Sequence, residues 1–397
     1  MLKNKINKEL DDIKKNNLYR SFKNFYNDKY VDNLENNEKI SKNFSSNDYL
    51  GLSNNREILN VIKDALKYGS GSTGSRLTSG NINHEELEKT ISKFKDTESS
   101  LVYSSGYATN LGVISALCAK KDLILSDSLN HASIIDGCKL SKAEKIIYPH
   151  RDVEFIKKIL EDEKFISQFE NVFIITDGVF SMDGDIAPID KLFKLCNDFN
   201  CTLIVDDAHG TGVLGKKGKG TLKHFKIKAN ENVIQIGTLS KANGLLGGYV
   251  ASYSEMIDYL INKSRSFIYS TSLPPYVITG AIKSFELIEN KDYVSKLQKN
   301  VKIANKIFSG LSYGINTYNF EDNYNKHETP IYPLIFGNET MKMSKYLDNL
   351  GYQCIGIRYP TVARGSERIR VSITSCHKKE DFINLKEEID NYVKTHI

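Results

Sequence analysis

Lys241 closes the run Thr238-Leu239-Ser240-Lys241 and precedes a turn of small residues, Ala242-Asn243-Gly244. Asp206 and, three residues on, His209 follow the apolar run Leu203-Ile204-Val205. Ser104-Ser105-Gly106-Tyr107 follows Leu101-Val102-Tyr103, and His131 comes shortly after Leu123-Ile124-Leu125. A lysine amine becomes a usable base when its surroundings lower its pKa. A glycine opening a helix leaves free N–H groups that suit a phosphate. A lysine, a carboxylate and a phosphate cradle at neighbouring strand ends point together to pyridoxal phosphate (PLP). That cofactor needs a lysine for its Schiff base and an acid to keep its ring nitrogen protonated. Taken singly, each residue has a plainer reading. Asp-x-x-His is a common structural pair, and a lone lysine is usually solvated. His131 reads equally as a helix cap or core histidine, or as an imidazole stacked on a flat ring.

Gly210-Thr211-Gly212-Val213-Leu214-Gly215 matches the spacing of a dinucleotide fingerprint. That motif needs a helix opening directly from the turn. Here Lys216-Lys217-Gly218-Lys219-Gly220 follows, and each glycine in a helix interior costs about 1 kcal/mol. The segment therefore reads as a flexible, solvated lysine-glycine loop rather than a nicotinamide site. Its lysines could also meet an acidic thiol carrier.

The elements that must position these residues alternate. Apolar runs at 100–103, 123–125, 146–148, 172–175, 203–205, 233–236 and 248–251 are separated by helical patterns at 106–119, 132–140, 153–160 and 188–199. Such alternation predicts an α/β fold with a mainly parallel central sheet flanked by helices. Ligands bind such sheets at the carboxyl ends of the strands, which is where the reactive residues fall. From about Pro275 the texture changes to one long helical pattern, 276–310. Then come strands at 331–335 and 368–373, a helix near 342–350 and a last helix over 379–395. This predicts a smaller α+β C-terminal domain. The division expected is 1–45 as an N-terminal arm and helix, 46–280 as the large cofactor domain and 281–397 as the small domain.

The 397 residues carry 54 Lys+Arg against 49 Asp+Glu, a net charge of +5 with no basic block, so no nucleic-acid partner is expected. No run of 18 apolar residues predicts a membrane span. The N-terminus lacks the apolar stretch of a secretory signal, and Glu9, Asp11 and Asp12 make it too acidic for a mitochondrial presequence. Leu2, Ile6, Leu10 and Ile13 instead predict an amphipathic helix docked on the body. The six cysteines show no paired metal spacing, so no metal site and a reducing, cytoplasmic setting are expected.

Read as a whole, the chain resembles the α-oxoamine synthases, fold-type I PLP enzymes that condense an amino acid with an acyl thioester. The resemblance runs in order through Asn47-Asp48-Tyr49-Leu50-Gly51-Leu52, Gly69 to Arg76, His84-Glu85-Glu86-Leu87-Glu88, Ser105-Gly106-Tyr107, Asn130-His131-Ala132-Ser133, Asp177 to Gly184, Asp206-Asp207-Ala208-His209-Gly210 and Thr238-Leu239-Ser240-Lys241. It implies Lys241 as the Schiff-base lysine and α-proton acid/base, and Asp206 as the partner of the ring nitrogen. It implies His131 stacked on the ring, and His209 and Ser181 at the phenolic oxygen. Gly106, Tyr107 and Thr238 would hold the phosphate, with Thr271 reaching it from a second subunit, hence a homodimer with shared sites. Arg370 matches the arginine that pairs with the amino-acid carboxylate, a task suited to bidentate geometry.

Asn47 and Thr361 would contact substrate, and Arg20 the acyl end. The Ile357–Val362 and Leu18-Tyr19-Arg20 segments are similar to those of the branch that condenses L-alanine with a pimeloyl thioester, carried on CoA or acyl carrier protein, on the route to biotin. Tyr359, Ala363-Arg364 and Asn243 depart from that branch's pattern. Glycine-using siblings and a non-catalytic, partner-binding homologue are the other readings, and Lys241 speaks against the latter.

Overall fold

Seven strands form the central sheet of the computed structural model: β1 (Ser99–Tyr103), β2 (Asp122–Asp127), β3 (Glu144–Tyr148), β4 (Asn171–Asp177), β5 (Thr202–Asp206), β6 (Val233–Thr238) and β7 (Gly248–Ser252). Their spatial order is β1-β7-β6-β5-β4-β2-β3, and only β7 runs antiparallel to its neighbours. The structure describes residues 1–16, 18–20, 25–26, 29–31, 38–40, 42–309, 311 and 327–397. Successive side chains of a strand face opposite sides. Ile204 therefore joins the core under helices Gly106–Leu117 and Ala132–Leu140, while Leu203 and Val205 face the layer holding Val153–Leu160 and Ile189–Phe199. Both faces being covered explains why the strands read as unbroken apolar runs instead of alternating ones.

A second, three-stranded antiparallel sheet carries Arg368–Ser372 between Ile331–Ile335 and Gly356–Ile357. The expected long helix of 276–310 is two helices, Pro275–Asn290 and Tyr293–Phe308, because Lys291 takes an extended backbone at the first helix's end. The first packs on the helices at Arg56–Ala65 and Ile82–Lys95, and the second on the last helix, Lys379–His396. The periodicity continued across a break that the pattern alone did not reveal.

The first helix, Leu2–Lys15, forms as expected, but it is not docked. None of its residues is buried, and Leu2, Ile6, Leu10 and Ile13 are all exposed. Its apolar stripe finds no cover among the described residues. The lysine-glycine segment keeps Lys216 and Lys217 exposed, as a solvated loop would, but its backbone is pinned. Gly212 N–H donates to the Gly218 carbonyl at 2.7 Å and Gly220 N–H to that of Leu214 at 2.9 Å. Lys219 pairs with Asp96 at 2.7 Å.

Beneath that segment lies a fully buried ion pair. Lys95 Nζ sits 2.6 Å from Asp207 Oδ2 and also donates to Thr211 Oγ1 and the Lys219 carbonyl. Asp207 directly follows Asp206, so the pair fixes the backbone on which Asp206 stands. Lys95→Met should lower unfolding free energy by about 3–5 kcal/mol, because it strands a buried carboxylate. Urea unfolding of the variant would show this, and an unchanged midpoint would contradict it.

Candidate active site

Strand register brings the reactive residues together. Asp177 and Asp206 are direct partners across β4 and β5, and Thr238 pairs with Gly248, which in turn pairs with Tyr103. A cavity of about 610 Å³ opens at these strand ends, lined by Asn47, His131, Ser181, His209, Lys241, Thr361 and Arg370 among others. That volume falls in the range of small-molecule sites, roughly 300–1,000 Å³.

Lys241 is set in the cavity wall. Burial lowers its pKa to about 8, against the opposing pull of the Asp206 and Asp177 carboxylates. Asp206 is buried. Its Oδ2 accepts from Asn110 Nδ2 at 2.6 Å and its Oδ1 from the Ala208 N–H at 3.0 Å. Asp177 is held well above the usual carboxylate range, first by burial and then by the charge of Asp206. It also accepts the His131 N–H at 2.7 Å, so it braces the residue before the next helix.

His131 meets its expected reading as a helix cap, and it also borders the cavity. It is the N-cap of Ala132–Leu140, accepting from the Ser133 N–H at 3.2 Å. Ser133 Oγ accepts from Asn110 Nδ2 at 2.9 Å, so its own proton points to His131 Nδ1 at 2.7 Å. Nδ1 is therefore an acceptor and the ring proton sits on Nε2. Desolvation lowers the pKa of His131, with Asp206 opposing it and Lys241 assisting.

His209 is held by Tyr49. Arg370 Nη2 donates to Tyr49 Oη at 3.2 Å, Tyr49 donates to Asn47 Oδ1 at 3.2 Å, and His209 Nδ1 lies 2.7 Å from the same phenolic oxygen. His209 is held neutral, well below its usual pKa, by burial and then by Lys241 and Arg370.

Arg370 is less free than its expected role suggests. Nε donates to the Ser181 carbonyl at 2.5 Å, Nη1 to Ser372 Oγ at 2.8 Å, and Nη2 to Asn47 Oδ1 at 3.1 Å as well as to Tyr49. A guanidinium has five N–H groups, so one on Nη1 remains. Bidentate capture of a carboxylate therefore requires Asn47 or Tyr49 to yield.

Gly106 opens the helix Gly106–Leu117, whose N-cap Ser105 accepts the Ala108 N–H at 3.1 Å. The N–H groups of Gly106 and Tyr107 precede the helical ladder. A Cβ on Gly106 would stand 3.1 Å from Thr238 Cβ and 3.2 Å from its hydroxyl, so glycine keeps this cradle open. Tyr107 offers its backbone only, because its phenol donates to Asp136.

Gly106, Tyr107, Asp206 and Thr238 do not line the cavity itself, and neither do Thr271 and Arg20. Thr271 is exposed, bridges to Ser75, and borders a space of about 10 Å³, too small for more than a water. Arg20 is exposed. Its neighbour Tyr19 accepts from Arg358 Nη2 at 2.8 Å, which ties that segment to the Ile357–Thr361 wall.

Sequence reasoning assigned no site role to Tyr49, Asn110 or Asp177. Asn110 lies one helical turn after Gly106, and Tyr49 two residues after Asn47. Those spacings were the available signals.

Residues 39–389 match the family described as aminotransferase class I and II. A Methanocaldococcus jannaschii protein provisionally named 8-amino-7-oxononanoate synthase is 57% identical over 391 residues, which is 98% of each chain. The chain belongs to the class I and II aminotransferase family, as an α-oxoamine synthase. The 8-amino-7-oxononanoate synthase of Francisella tularensis matches this α-oxoamine synthase with a TM-score of 0.74 at 30% identity, covering 89% of this chain and 98% of its own. A serine palmitoyltransferase variant from S. paucimobilis, with bound PLP–myriocin aldimine, matches with a TM-score of 0.84 at 25% identity, over 92% and 89% of the two chains.

The α-oxoamine synthase is a PLP-dependent enzyme of the acyltransferase type. The residues present fit the cofactor: Lys241, of lowered pKa, lines the cavity, the buried carboxylate of Asp206 acts on it electrostatically, and a glycine opens the helix beside Thr238. No helix among the described residues is long and apolar enough to cross a membrane.

Proposed function

We propose that this enzyme condenses L-alanine with a pimeloyl thioester, with loss of CO₂, to give 8-amino-7-oxononanoate for biotin synthesis. The observation that carries the reading is the make-up of the cavity wall. Asn47, His131, Lys241 and Arg370 supply polar groups to it, while Leu129, Ile135, Met182, Ile355, Ile357 and Pro360 supply apolar surface on which an acyl chain could be buried. Relatives bearing that enzyme's name support it.

PLP, when bound, supplies a protonated ring that draws off the electron pair released at the amino acid's α-carbon. The Gly106 and Tyr107 N–H groups would hold the phosphate, and the Thr238 hydroxyl, which here donates to the Gly247 carbonyl at 2.9 Å, would turn to join them. Asp206, oriented by Asn110, keeps the ring nitrogen protonated. His131 would cover the ring face, and His209 and Ser181 would contact the phenolic oxygen. Arg370 and Asn47 hold the amino-acid carboxylate. Lys241 moves the α-proton, since an amine with a pKa near 8 is about one-fifth neutral around physiological pH, far more than an ordinary lysine. Thr361 and Arg20 contact the acyl substrate. Thr271 reaches the phosphate of a second copy, which makes a homodimer the working enzyme. The large and small domains meet at the cavity, where Arg370 of the small sheet faces Lys241 of the large one.

The test is a substrate matrix of L-alanine and glycine against pimeloyl and acetyl thioesters, each on CoA and on acyl carrier protein. Roughly four extra methylenes buried at about 0.8 kcal/mol each should favour pimeloyl by about 100-fold in kcat/KM. Faster turnover of glycine with the acetyl thioester would assign the chain to a glycine-using sibling instead.

A further inference from the structure

We propose that His150 is a positioning residue, an imidazolium clamp that joins the two loops flanking the PLP site and holds His131 and Ser181 in place. The inference rests on the PLP site and is independent of which amino acid or thioester is used. His150 Nδ1 lies 2.9 Å from Asp127 Oδ1, and Nε2 lies 2.8 Å from Asp185 Oδ2. A neutral imidazole has only one N–H and would face one of these carboxylates lone pair to lone pair. Both nitrogens must therefore carry protons, and the ring is a cation with two charge-assisted hydrogen bonds.

Each carboxylate belongs to a loop that lines the site. Asp127 ends β2 and also accepts the N–H groups of Leu129 and Arg151, both at 2.9 Å. It thereby shapes the turn that delivers His131. Asp185 lies in the loop that carries Ser181. The Phe180 N–H donates to the Asp185 carbonyl at 3.0 Å, and Val179 bridges to Ile186. The Ser181 carbonyl in turn takes Arg370 Nε. The edge-on Phe180 ring, 4.4 Å from the imidazole, closes one side.

The charged and titratable groups that face the clamp are Asp127, Asp185 and Arg151, with Asp177, Tyr148 and His327 acting through the two carboxylates. Burial alone would lower the pKa of His150, but its hydrogen bonds to Asp127 and Asp185 outweigh this and raise it to about 9. The folded value exceeds the unfolded one of about 6.5. The clamp's contribution is therefore complete below about pH 6.5 and is lost as pH rises through about 9.

The experiment uses the full-length PLP-loaded protein. Amide exchange of 128–131 and 180–186 should accelerate roughly tenfold to a hundredfold in His150→Ala, while exchange in β5 and the visible PLP absorbance stay unchanged. KM for the amino acid should rise more than kcat falls. In the wild type, exchange of the same two segments should show an added step near pH 9 that the variant lacks. Unchanged protection in the variant, or a pH step that persists there, overturns the proposal. Should the variant not fold, nitrogen-15 shifts of the wild-type histidines decide the matter. A His150 ring that is neutral at pH 7.5 overturns the clamp, and one protonated on both nitrogens supports it. A failed substrate matrix would leave the exchange, absorbance and nitrogen-15 readouts unchanged.

Discussion

Lys241→Ala should lose turnover by about 10⁴-fold or more, because it removes both the covalent attachment point and the group that moves the α-proton. The visible absorbance of the lysine-bound cofactor should vanish, while PLP still binds through the phosphate cradle at Gly106 and Thr238. The fold should survive. Lys241 follows a buried strand end but spends its amine on the cavity, and removing a cation whose pKa is already depressed by burial relieves a cost. Loss of the amine also removes a charge beside His131 and His209, whose pKa values should drift upward. Spectra, single-turnover kinetics and thermal unfolding of one preparation measure all of this. A variant with wild-type turnover would remove Lys241 from the chemistry.

Asp206→Asn should be the next most damaging change, at about 10²–10⁴-fold in kcat, since an amide cannot hold a proton on the ring nitrogen. Both carboxylate oxygens now act as acceptors, one from Asn110 and one from the Ala208 N–H. An asparagine has one oxygen, so one contact becomes donor against donor, at a cost of about 1–3 kcal/mol. Asp177 should respond as well. Its pKa is raised partly by Asp206, so removing that charge should bring it down toward the ordinary range. Loss of stability without loss of kcat in the variant would make Asp206 structural only.

The individual chemistry was legible because parallel strands end in reactive residues. Lys241, Asp206, His131 and Gly106 each follow an apolar run, and such runs end along one crevice. The family resemblance extended that reading to Arg370, which no local spacing links to Lys241. What stayed illegible lies between elements. Tyr49 and His209 are 160 residues apart in sequence, yet the first holds the second's ring through a 2.7 Å contact. The helical period could not show that Lys291 ends one helix before another begins. Nor could it show that the apolar stripe of Leu2–Lys15 stays uncovered among the described residues, since amphipathicity specifies a face and not its partner.

By itself, then, the sequence determined the α/β alternation, the position of the reactive residues at strand ends and the kind of cofactor they suit. These follow from short-range periodicity and from residue chemistry. Only the tertiary structure decided which protons sit where: Nε2 of His131, four committed N–H groups on Arg370, and a doubly hydrogen-bonded His150 between two carboxylates. Protonation is set by burial and by neighbours brought near through register and packing, and neither is a property of a residue read along the chain.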